Sequence, residues 1–339
     1  MAPKLKINMQ TIADEFNISK VTVSKALNDK DDVSVELKEK IKKRAEELGY
    51  RMNYLAKGLK NNKTYNIGLL VAERYVQSTN NYYFEVETKL VRKLSDIGYT
   101  SIIEVLDKKK EDNLVLPNMY LDNKIDALII IGECRGKYLK LFVNFPLPVL
   151  FFDFVRRDID VDCIISDNLS SSFDLTRLLI KNGHKVIAFV GNIYSTASIK
   201  DRFLGYYRAF LDNNLELEND LIISDRDEYG ELKEIILPKT MPTAFVCNND
   251  FLAWNLVQKL KKEGINVPED VSVVAFDNTI YSKIGEVKLT SCDNNVEQMI
   301  EQTVKIIQDK INDPTLRFNC TLVRGTIIER DSVKNITNI

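Results

Sequence analysis

The chain has few of the residues from which catalytic sites are commonly built. Its 339 residues include one histidine, His184. It lies in the segment K-N-G-H-K, between a predicted helix and a predicted strand, where we interpret it as structural rather than as a catalytic base. The P-loop, GxGxxG and GxSxG motifs are absent, as is any cluster with metal-ligand spacing. The sequence therefore argues against an enzyme and predicts no metal or cofactor.

Cysteine is sparse and is not spaced for disulfides or for zinc. None of the five cysteines is in a CxxC pair, and most lie within apolar runs, which is typical of buried thiols in a reducing compartment. No N-terminal apolar stretch resembles a signal peptide, and no run approaches membrane-spanning length. We therefore expect a cytoplasmic protein that does not engage a membrane. The cysteines are Cys134, Cys163, Cys247, Cys292 and Cys320.

Excess charge of one sign is absent overall, yet the charge is unevenly distributed. The net charge is −2, but residues 1–63 carry 14 Lys and Arg against 9 Asp and Glu, while the remainder carries 33 against 40. A basic head on an acidic body indicates that only the head meets a polyanion. The length predicts about two or three domains.

A helix-turn-helix is predicted for residues 9–28. Ile12, Ala13 and Phe16 share one helical face, and Ser19 is placed to cap a second helix. A small helical hairpin that packs against protein is the alternative interpretation. The outward face of the second helix offers groups that can bond phosphates and base edges. These are Lys20, Val21, Thr22, Ser24, Lys25 and Asn28.

A third helix and a short, marginal helix are predicted next. Ser34 is expected to cap a helix that runs to about Leu48. Residues 53–60 are too short for a stable isolated helix, and Gly58 weakens them further. We expect this segment to fold on a partner.

From Tyr65 onward, continuous apolar strands alternate with helices, which favours doubly wound parallel sheets. The strands are too numerous for one compact sheet. Two α/β lobes with a break near residues 160–165 are expected, and the strand C-I-I-S at 163–166 is expected to begin the second lobe.

Polar residues follow several of these strands. Ligands of such sheets bind beyond the carboxyl ends of the strands, and amides and carboxylates there suit a ligand rich in hydroxyl groups. The alternative for each is a helix N-cap, and for Asp250 that alternative stays open. The residues concerned are Asp153, Asn192, Asn248, Asn249, Asp250, Asp277 and Asn278.

An ordered set of motifs along nearly the whole chain resembles the LacI/GalR family of transcription regulators. The motifs are I-A-D-E-F-N-I-S-K-V-T-V-S-K-A-L-N, E-E-L-G-Y-R-M-N, L-A-K-G-L, K-N-G-H-K-V-I-A-F-V-G, D-R-F-L-G-Y and V-P-E-D-V-S-V-V-A-F-D-N. The resemblance implies a helix-turn-helix DNA-binding domain at 1–51, a hinge helix and linker at 52–63, and a two-lobed effector-binding core at 64–339. The core is expected to resemble type I periplasmic binding proteins, with an N-lobe of about 64–162 and 293–321 and a C-lobe of about 163–292 and 322–339.

The resemblance also implies which residues contact DNA. Lys20, Val21 and Lys25 match base-reading positions, and Leu59 matches a leucine that wedges into the minor groove. Lys25 replaces a commoner arginine, and Met52 replaces a proline before the hinge. The positions expected to hold phosphates are Thr22, Ser24, Asn28 and Ser34, and Asn53 and Ala56 belong to the hinge contacts.

The resemblance places the effector contacts in the core. Arg202, Asn249, Asp277 and Asp153 match polar contacts, and Asn294 stands at a position that is commonly glutamine. Tyr82 replaces a proline, which leaves the aromatic wall of the site undefined. The remaining expected contacts are Tyr83, Phe84 and Ser198.

Together these features predict a homodimeric, sequence-specific regulator, with a repressor favoured, that binds a near-palindromic operator. The implied effector is a small ligand, with a carbohydrate or sugar derivative favoured. The chain ends soon after its last predicted strand, so the tetramer-forming helix of one branch of the family is not expected. A plain sugar receptor is the rival interpretation, and the basic head argues against it.

Overall fold

The computed structural model describes residues 7–27, 29–50, 63–76, 82–227 and 232–337. The chain divides into two compact units, Met1–Thr64 and Tyr65–Ile339. Asn28 and the hinge residues Asn53, Ala56 and Leu59 lie outside the described residues.

The first unit contains a bundle of three helices. Asn8 caps the first helix in a reciprocal pair with Thr11, and the Ser19 hydroxyl accepts the Thr22 N–H at 3.1 Å, as predicted for the cap of the second. Asn17 has a φ of 53° in the turn between them, a conformation that asparagine tolerates. The helices are α1 Met9–Glu15, α2 Lys20–Leu27 and α3 Val35–Glu47. Their shared core consists of Ile12, Ala13, Val23, Ala26, Val33, Ile41 and Ala45.

The second unit contains two six-stranded sheets, as expected for two α/β lobes. All strands of the first sheet are parallel, in the order β11-β5-β4-β3-β1-β2. Its strands are β1 Asn66–Ala72, β2 Thr100–Leu106, β3 Ala127–Ile131, β4 Val149–Phe152, β5 Cys163–Ser166 and β11 Cys320–Val323. The helices of this lobe are α4 Glu73–Val76, α5 Tyr82–Asp96, α6 Lys108–Asp112, α7 Asn118–Leu121, α8 Gly136–Leu139 and α12 Val296–Asn312, with a 3₁₀ turn at Lys140–Phe142.

The second sheet has the order β12-β10-β9-β8-β6-β7, with β12 antiparallel to β10. Its strands are β6 Ile187–Val190, β7 Ile222–Ile223, β8 Ala244–Cys247, β9 Ser272–Phe276, β10 Thr290–Asp293 and β12 Thr326–Ile328. Three long helices, α9 Asn168–Lys181, α10 Ala197–Asp212 and α11 Asp250–Lys262, pack against it, and short 3₁₀ turns lie at Asn219–Leu221 and Ile280–Ser282.

Both sheets are covered on their two faces by apolar clusters. Burial on both sides explains why the strands read as continuous apolar runs rather than as alternating patterns. No helix among the described residues is long and apolar enough to cross a membrane.

The strand C-I-I-S at 163–166 was expected to begin the second lobe, and this was wrong. Cys163 is the register partner of Phe151 on one side and of Cys320 on the other, so β5 lies inside the first sheet. The polar stretch before β5 is a loop between two strands of one sheet. The chain crosses to the second lobe after β5, at the start of α9. Val323 also pairs within the first sheet, so the last crossing lies beyond residue 321.

Candidate functional sites

The second helix of the bundle presents the surface predicted to contact DNA. Lys20 and Val21 are exposed, with 62% of Val21 accessible, while Val23 and Ala26 of the same helix are fully buried. Thr22 and Ser24 are half-buried, and the Thr22 hydroxyl lies 2.9 Å from that of Ser19. An apolar residue is thus exposed between a lysine and two hydroxyl groups, a combination that suits base edges and phosphates.

Two predicted DNA contacts have partners within the protein. Lys25 forms an ion pair with Asp32, whose pKa is lowered by the hydrogen bond from that lysine. Ser34 caps α3 by accepting the Leu37 N–H at 3.4 Å. A helix N-terminus is also a favourable place for a phosphate, so the cap and the predicted contact are compatible. If Lys25 contacts a base, its ion pair with Asp32 has to break when the protein binds DNA.

In the second unit, Arg202 lies at the centre of a buried polar network. Its side chain is 8% exposed, and its Nε donates to Asn168 Oδ1 at 2.7 Å. Its Nη1 donates to the carbonyl of Asn248, and its Nη2 donates to Asp277 Oδ1 at 3.2 Å. The guanidinium carbon lies 4.3 Å from the centre of the Phe276 ring. Every edge of the guanidinium is therefore held in place.

Asp277 is held by the strand ends as well as by Arg202. Its φ of 94° is unusual for a residue with a side chain, and its N–H donates to the Cys292 carbonyl at 2.8 Å. Asn294, which is 2% exposed, donates from Nδ2 to Asp277 Oδ1 at 2.8 Å. One oxygen of Asp277 thus accepts from two predicted ligand contacts.

Asp153 and Tyr83 contribute from the first lobe. The Tyr83 hydroxyl donates to Asp153 Oδ2 at 3.0 Å, and the Tyr83 ring packs against Tyr75 with ring centres 4.6 Å apart. Burial raises the pKa of Asp153 to about 7; the Arg202 charge opposes this rise and the Asp277 charge adds to it. The pKa of Asp153 therefore depends on charges of the second lobe. We call Tyr83, Asp153, Arg202, Asp277 and Asn294 the inter-lobe cluster.

The strand end at residues 248–250 supports this cluster. Asn249 is the N-cap of α11, and its Oδ1 accepts the Leu252 N–H at 2.8 Å. Asp250 is fully buried and accepts from the Thr279 N–H at 2.6 Å and from the Ser291 hydroxyl at 2.6 Å. Burial raises the pKa of Asp250 to about 7. Asn249, rather than Asp250, thus takes the capping role, and Asp250 ties down the loop that follows Asp277.

Besides Asn249, two predicted effector contacts are not part of the inter-lobe cluster, Phe84 and Ser198. Phe84 is 72% exposed, because α5 begins at Tyr82 and buries the face that carries Tyr82 and Val86. Ser198 lies one helical turn before Arg202, and its hydroxyl is 3.0 Å from that of Thr196.

Three participating residues were not among the predicted contacts. Asn168 follows β5, and Glu133 follows β3, so the rule that placed Asp153 at a strand end would have found both. Glu133 accepts the Ala197 N–H of the other lobe at 3.4 Å. Tyr75, which packs against Tyr83, also donates to the Glu133 carbonyl at 3.0 Å. No sequence motif marks Tyr75.

His184 is buried between neighbouring loops. Its ring nitrogens lie 3.1 Å from the Thr243 hydroxyl and 3.0 Å from the Lys334 carbonyl, and burial lowers its pKa. These contacts are those of a structural histidine.

Comparison with protein families gives two matches. Residues 8–53 match the family described as bacterial regulatory proteins, lacI family, and residues 176–333 match a periplasmic binding protein-like domain. The first match spans the three-helix bundle, and the second covers most of the second lobe.

Curated relatives match along nearly the full length. Catabolite control protein A of Priestia megaterium is 25% identical over 97% of this chain and 100% of its own length. The HTH-type transcriptional repressor PurR of Vibrio campbellii is 26% identical over 97% of this chain and 99% of its own length. Both names are those of regulators rather than enzymes.

Solved structures share the fold. A lac repressor dimer bound to operator and the anti-inducer ONPF has a TM-score of 0.72 at 18% identity, covering 97% of this chain and 100% of that chain. A complex of the transcriptional regulator CelR with cellobiose has a TM-score of 0.68 at 20% identity, covering 96% and 99%. The chain thus combines a helix-turn-helix domain of the lacI family of bacterial regulatory proteins with a periplasmic-binding-protein-like domain, and the relatives that it matches along nearly its full length are transcription regulators.

Proposed function

We propose that this repressor binds a near-palindromic operator as a homodimer and that a neutral, hydroxyl-rich ligand in the inter-lobe cluster controls its DNA affinity. A carbohydrate or sugar derivative is the ligand class that we favour. The observation that carries the proposal is the buried contact of Arg202 with Asp277, faced by Asp153 and Tyr83 of the other lobe.

The charges of the cluster favour a neutral ligand. Its one guanidinium already faces the Asp277 carboxylate, and Asp153 adds a second acid. An anionic ligand would meet these carboxylates, whereas a hydroxyl group can accept from Arg202 and donate to Asp277 at once. The packed rings of Tyr75 and Tyr83 offer an apolar wall beside these groups. The CelR–cellobiose complex provides an example of the ligand class in a protein of the same fold.

The DNA-binding mode follows from symmetry. Each chain carries one helix-turn-helix, and two such heads related by a two-fold axis require a site with two-fold symmetry. The lac repressor structure of similar fold is a dimer on its operator. We propose that Lys20, Val21 and Lys25 read bases. In this proposal the phosphate contacts are Thr22, Ser24, Asn28 and Ser34, and the hinge contacts are Asn53, Ala56 and Leu59.

Coupling between ligand and DNA is proposed to pass through the lobes. A ligand held by Asp153 on one side and by Arg202 on the other favours one arrangement of the two lobes. That arrangement sets the separation of the two hinge segments in the dimer and thereby favours or opposes DNA binding.

A ligand panel tests the proposal. Glucose, cellobiose, glucose 6-phosphate and adenine are each added to the full-length protein, and the midpoint of thermal unfolding is followed. We expect a neutral sugar to raise the midpoint. A rise with the phosphate or the base alone would show that the cluster selects another ligand class.

A further inference from the structure

Two of the five cysteines lie side by side where the chain passes between the lobes. Cys163 begins β5 and Cys320 begins β11, and the two residues are direct register partners in a parallel pair. The Cys163 N–H donates to the Asn319 carbonyl at 2.7 Å, which fixes this register. Because paired residues point to the same face of a sheet, the two thiols are neighbours.

The spacing of the strands suits a covalent link. Neighbouring strands lie about 4.8 Å apart, and a disulfide spans Cα atoms about 4.4–6.8 Å apart. The register of the two strands therefore meets the Cα spacing that a disulfide needs.

One thiol of the pair is accessible and the other is not. Cys320 is exposed, whereas Cys163 is 1% exposed. The hydrogen bond with Cys163 lowers the pKa of Cys320 to about 7, and the Arg157 charge adds to this, while burial and the Asp201 carboxylate oppose it. The same contact raises the pKa of Cys163. Of the two thiols, the outer one therefore loses its proton first.

We propose that Cys320 and Cys163 are a reversible oxidation site for hydroperoxides, with Cys320 as the attacking thiol and Cys163 as the resolving thiol. The Cys320 thiolate attacks a peroxide oxygen, so that an S–O bond forms and the O–O bond breaks. The departing oxygen leaves as water or an alcohol after taking a proton. The Cys163 sulfur then attacks the Cys320 sulfur, so that the S–S bond forms, the S–O bond breaks and a second water leaves with the Cys163 proton. Two thiols are oxidised and one peroxide is reduced, and two equivalents of an added thiol reduce the disulfide back to two cysteines while forming a disulfide of their own.

The site differs in position from the DNA surface and from the inter-lobe cluster. β5 leads directly into α9 of the second lobe, and β11 leads into β12 of the second sheet. The disulfide would tie together two segments by which the chain crosses between the lobes. Its formation does not depend on the identity of the effector, so a failure of the proposed sugar binding leaves this inference untouched.

Peptide mapping of the full-length protein tests the oxidation site. The reduced protein is treated with hydrogen peroxide, remaining thiols are alkylated under denaturing conditions, and the digest is analysed by mass spectrometry. We expect a peptide pair joined through Cys163 and Cys320, lost on treatment with dithiothreitol. The three remaining cysteines are buried and are expected to be alkylated as thiols.

Variants separate the two roles. Cys163→Ser, whose hydroxyl can keep a hydrogen bond to Cys320, should leave a sulfenic acid on Cys320 that reacts with dimedone, and Cys320→Ser should leave Cys163 reduced. Cys134→Ser, which removes a buried thiol of the same lobe, should form the link as the unmodified sequence does. A link between Cys320 residues of two chains, or an unoxidised Cys320 at peroxide levels that oxidise free cysteine, would overturn the proposal.

Discussion

Arg202 and Asp277 form a buried ion pair, and this has a consequence for any ligand that contacts them. Both side chains are 8% exposed, so each would be left as a poorly compensated charge if the other were removed. A hydroxyl group that inserts between them replaces one hydrogen bond by two. The pair is thus prepared for a neutral donor and acceptor.

Replacing Asp277 tests this at the level of one residue. We expect Asp277→Ala to weaken sugar binding by about 1–3 kcal/mol, because Arg202 and Asn294 lose their shared acceptor. Titration calorimetry with the sugar that stabilises the protein measures the change. Glu269→Ala, at an exposed carboxylate of the same lobe, is the matched control and should bind as the unmodified protein does. Equal affinities in both folded variants would contradict the assignment.

The raised pKa of Asp153 makes the stability of the folded protein depend on pH, and the direction of this dependence follows from the shift. Its pKa is raised to about 7 by burial, from an ordinary value of 3.8, so the folded protein keeps a proton that the unfolded chain has released between these values. Stability contributed by this group therefore falls as the pH rises from about 4 to 7. Asp250 acts in the same direction.

Asp153→Asn removes this dependence at one site, since an amide oxygen can still accept from Tyr83. We expect the variant to gain stability relative to the unmodified protein as the pH rises through this window, by up to about 4 kcal/mol. Urea unfolding from pH 4 to 8 measures the gain, and Asp160→Asn, at an exposed carboxylate nearby, should show none. A gain that is constant with pH would show that Asp153 titrates normally.

Individual residues show where sequence analysis succeeds. Asp153 and Asp277 were placed correctly at strand ends because buried parallel strands are recognisable as apolar runs. Tyr83 and Phe84 were both predicted to contact the ligand, but adjacent residues on a helix point in different directions, and Phe84 is 72% exposed on α5. The partner of Lys25 was not foreseen, since an ion pair over seven residues leaves no local pattern.

Among the elements, the contact between α9 and α10 positions the Arg202 side chain. Gly205 of α10 lies so close to α9 that a Cβ atom would come within 2.1 Å of the Leu169 carbonyl oxygen. The hydrogen bond from Arg202 to Asn168 joins the same two helices. Close packing at Gly205 therefore helps to set the distance that this bond needs.

Gly205→Ala is expected to push the two helices apart. Overpacking of this kind costs about 1–3 kcal/mol, and the displacement should also weaken sugar binding through Arg202. Thermal unfolding and calorimetry measure the two effects. Leu204→Ala, at the neighbouring position that is 43% exposed, is expected to change both far less. An unchanged unfolding midpoint for Gly205→Ala would show that the helices accommodate the methyl group.

The recognition helix α2 provides a test of DNA reading. Lys25→Ala should lower affinity for the operator by about 1–3 kcal/mol if Lys25 contacts a base. Lys40→Ala, at a 61%-exposed lysine of α3, is the control for a general loss of positive charge. Fluorescence anisotropy with operator and random DNA measures both variants. Equal losses of Lys25→Ala on the two DNAs would assign Lys25 to a phosphate.

The misplaced strand shows what limits prediction of elements. The strand at 163–166 was predicted correctly, but it was assigned to the wrong lobe. An apolar run in the sequence does not reveal which strands will pair with it. Its pairing with Cys320 joins positions 157 residues apart in the sequence, and only the folded sheet displays it.

For the whole molecule, the proposed function requires that ligand binding between the lobes changes DNA affinity. A ligand can shift this affinity only as far as it prefers one arrangement of the lobes over the other. Coupling of about 1–3 kcal/mol, or roughly 5–150-fold in affinity, is the expected size. The motifs of the head predicted the helix-turn-helix, and the alternating strands predicted the two-lobed core. No pattern in the sequence indicates whether the ligand raises or lowers the affinity for DNA.

The most direct test is a titration of operator affinity against the sugar that stabilises the protein, using full-length repressor and Asp277→Ala side by side. The operator is recovered as the genomic fragment that the repressor retains, and affinity is read by fluorescence anisotropy. We expect the affinity of the unmodified repressor to shift roughly 5–150-fold, while Asp277→Ala binds the operator equally well without sugar and responds only at sugar concentrations roughly 5–150-fold higher. An unshifted affinity in the unmodified repressor, or an equal response in Asp277→Ala, would contradict the account.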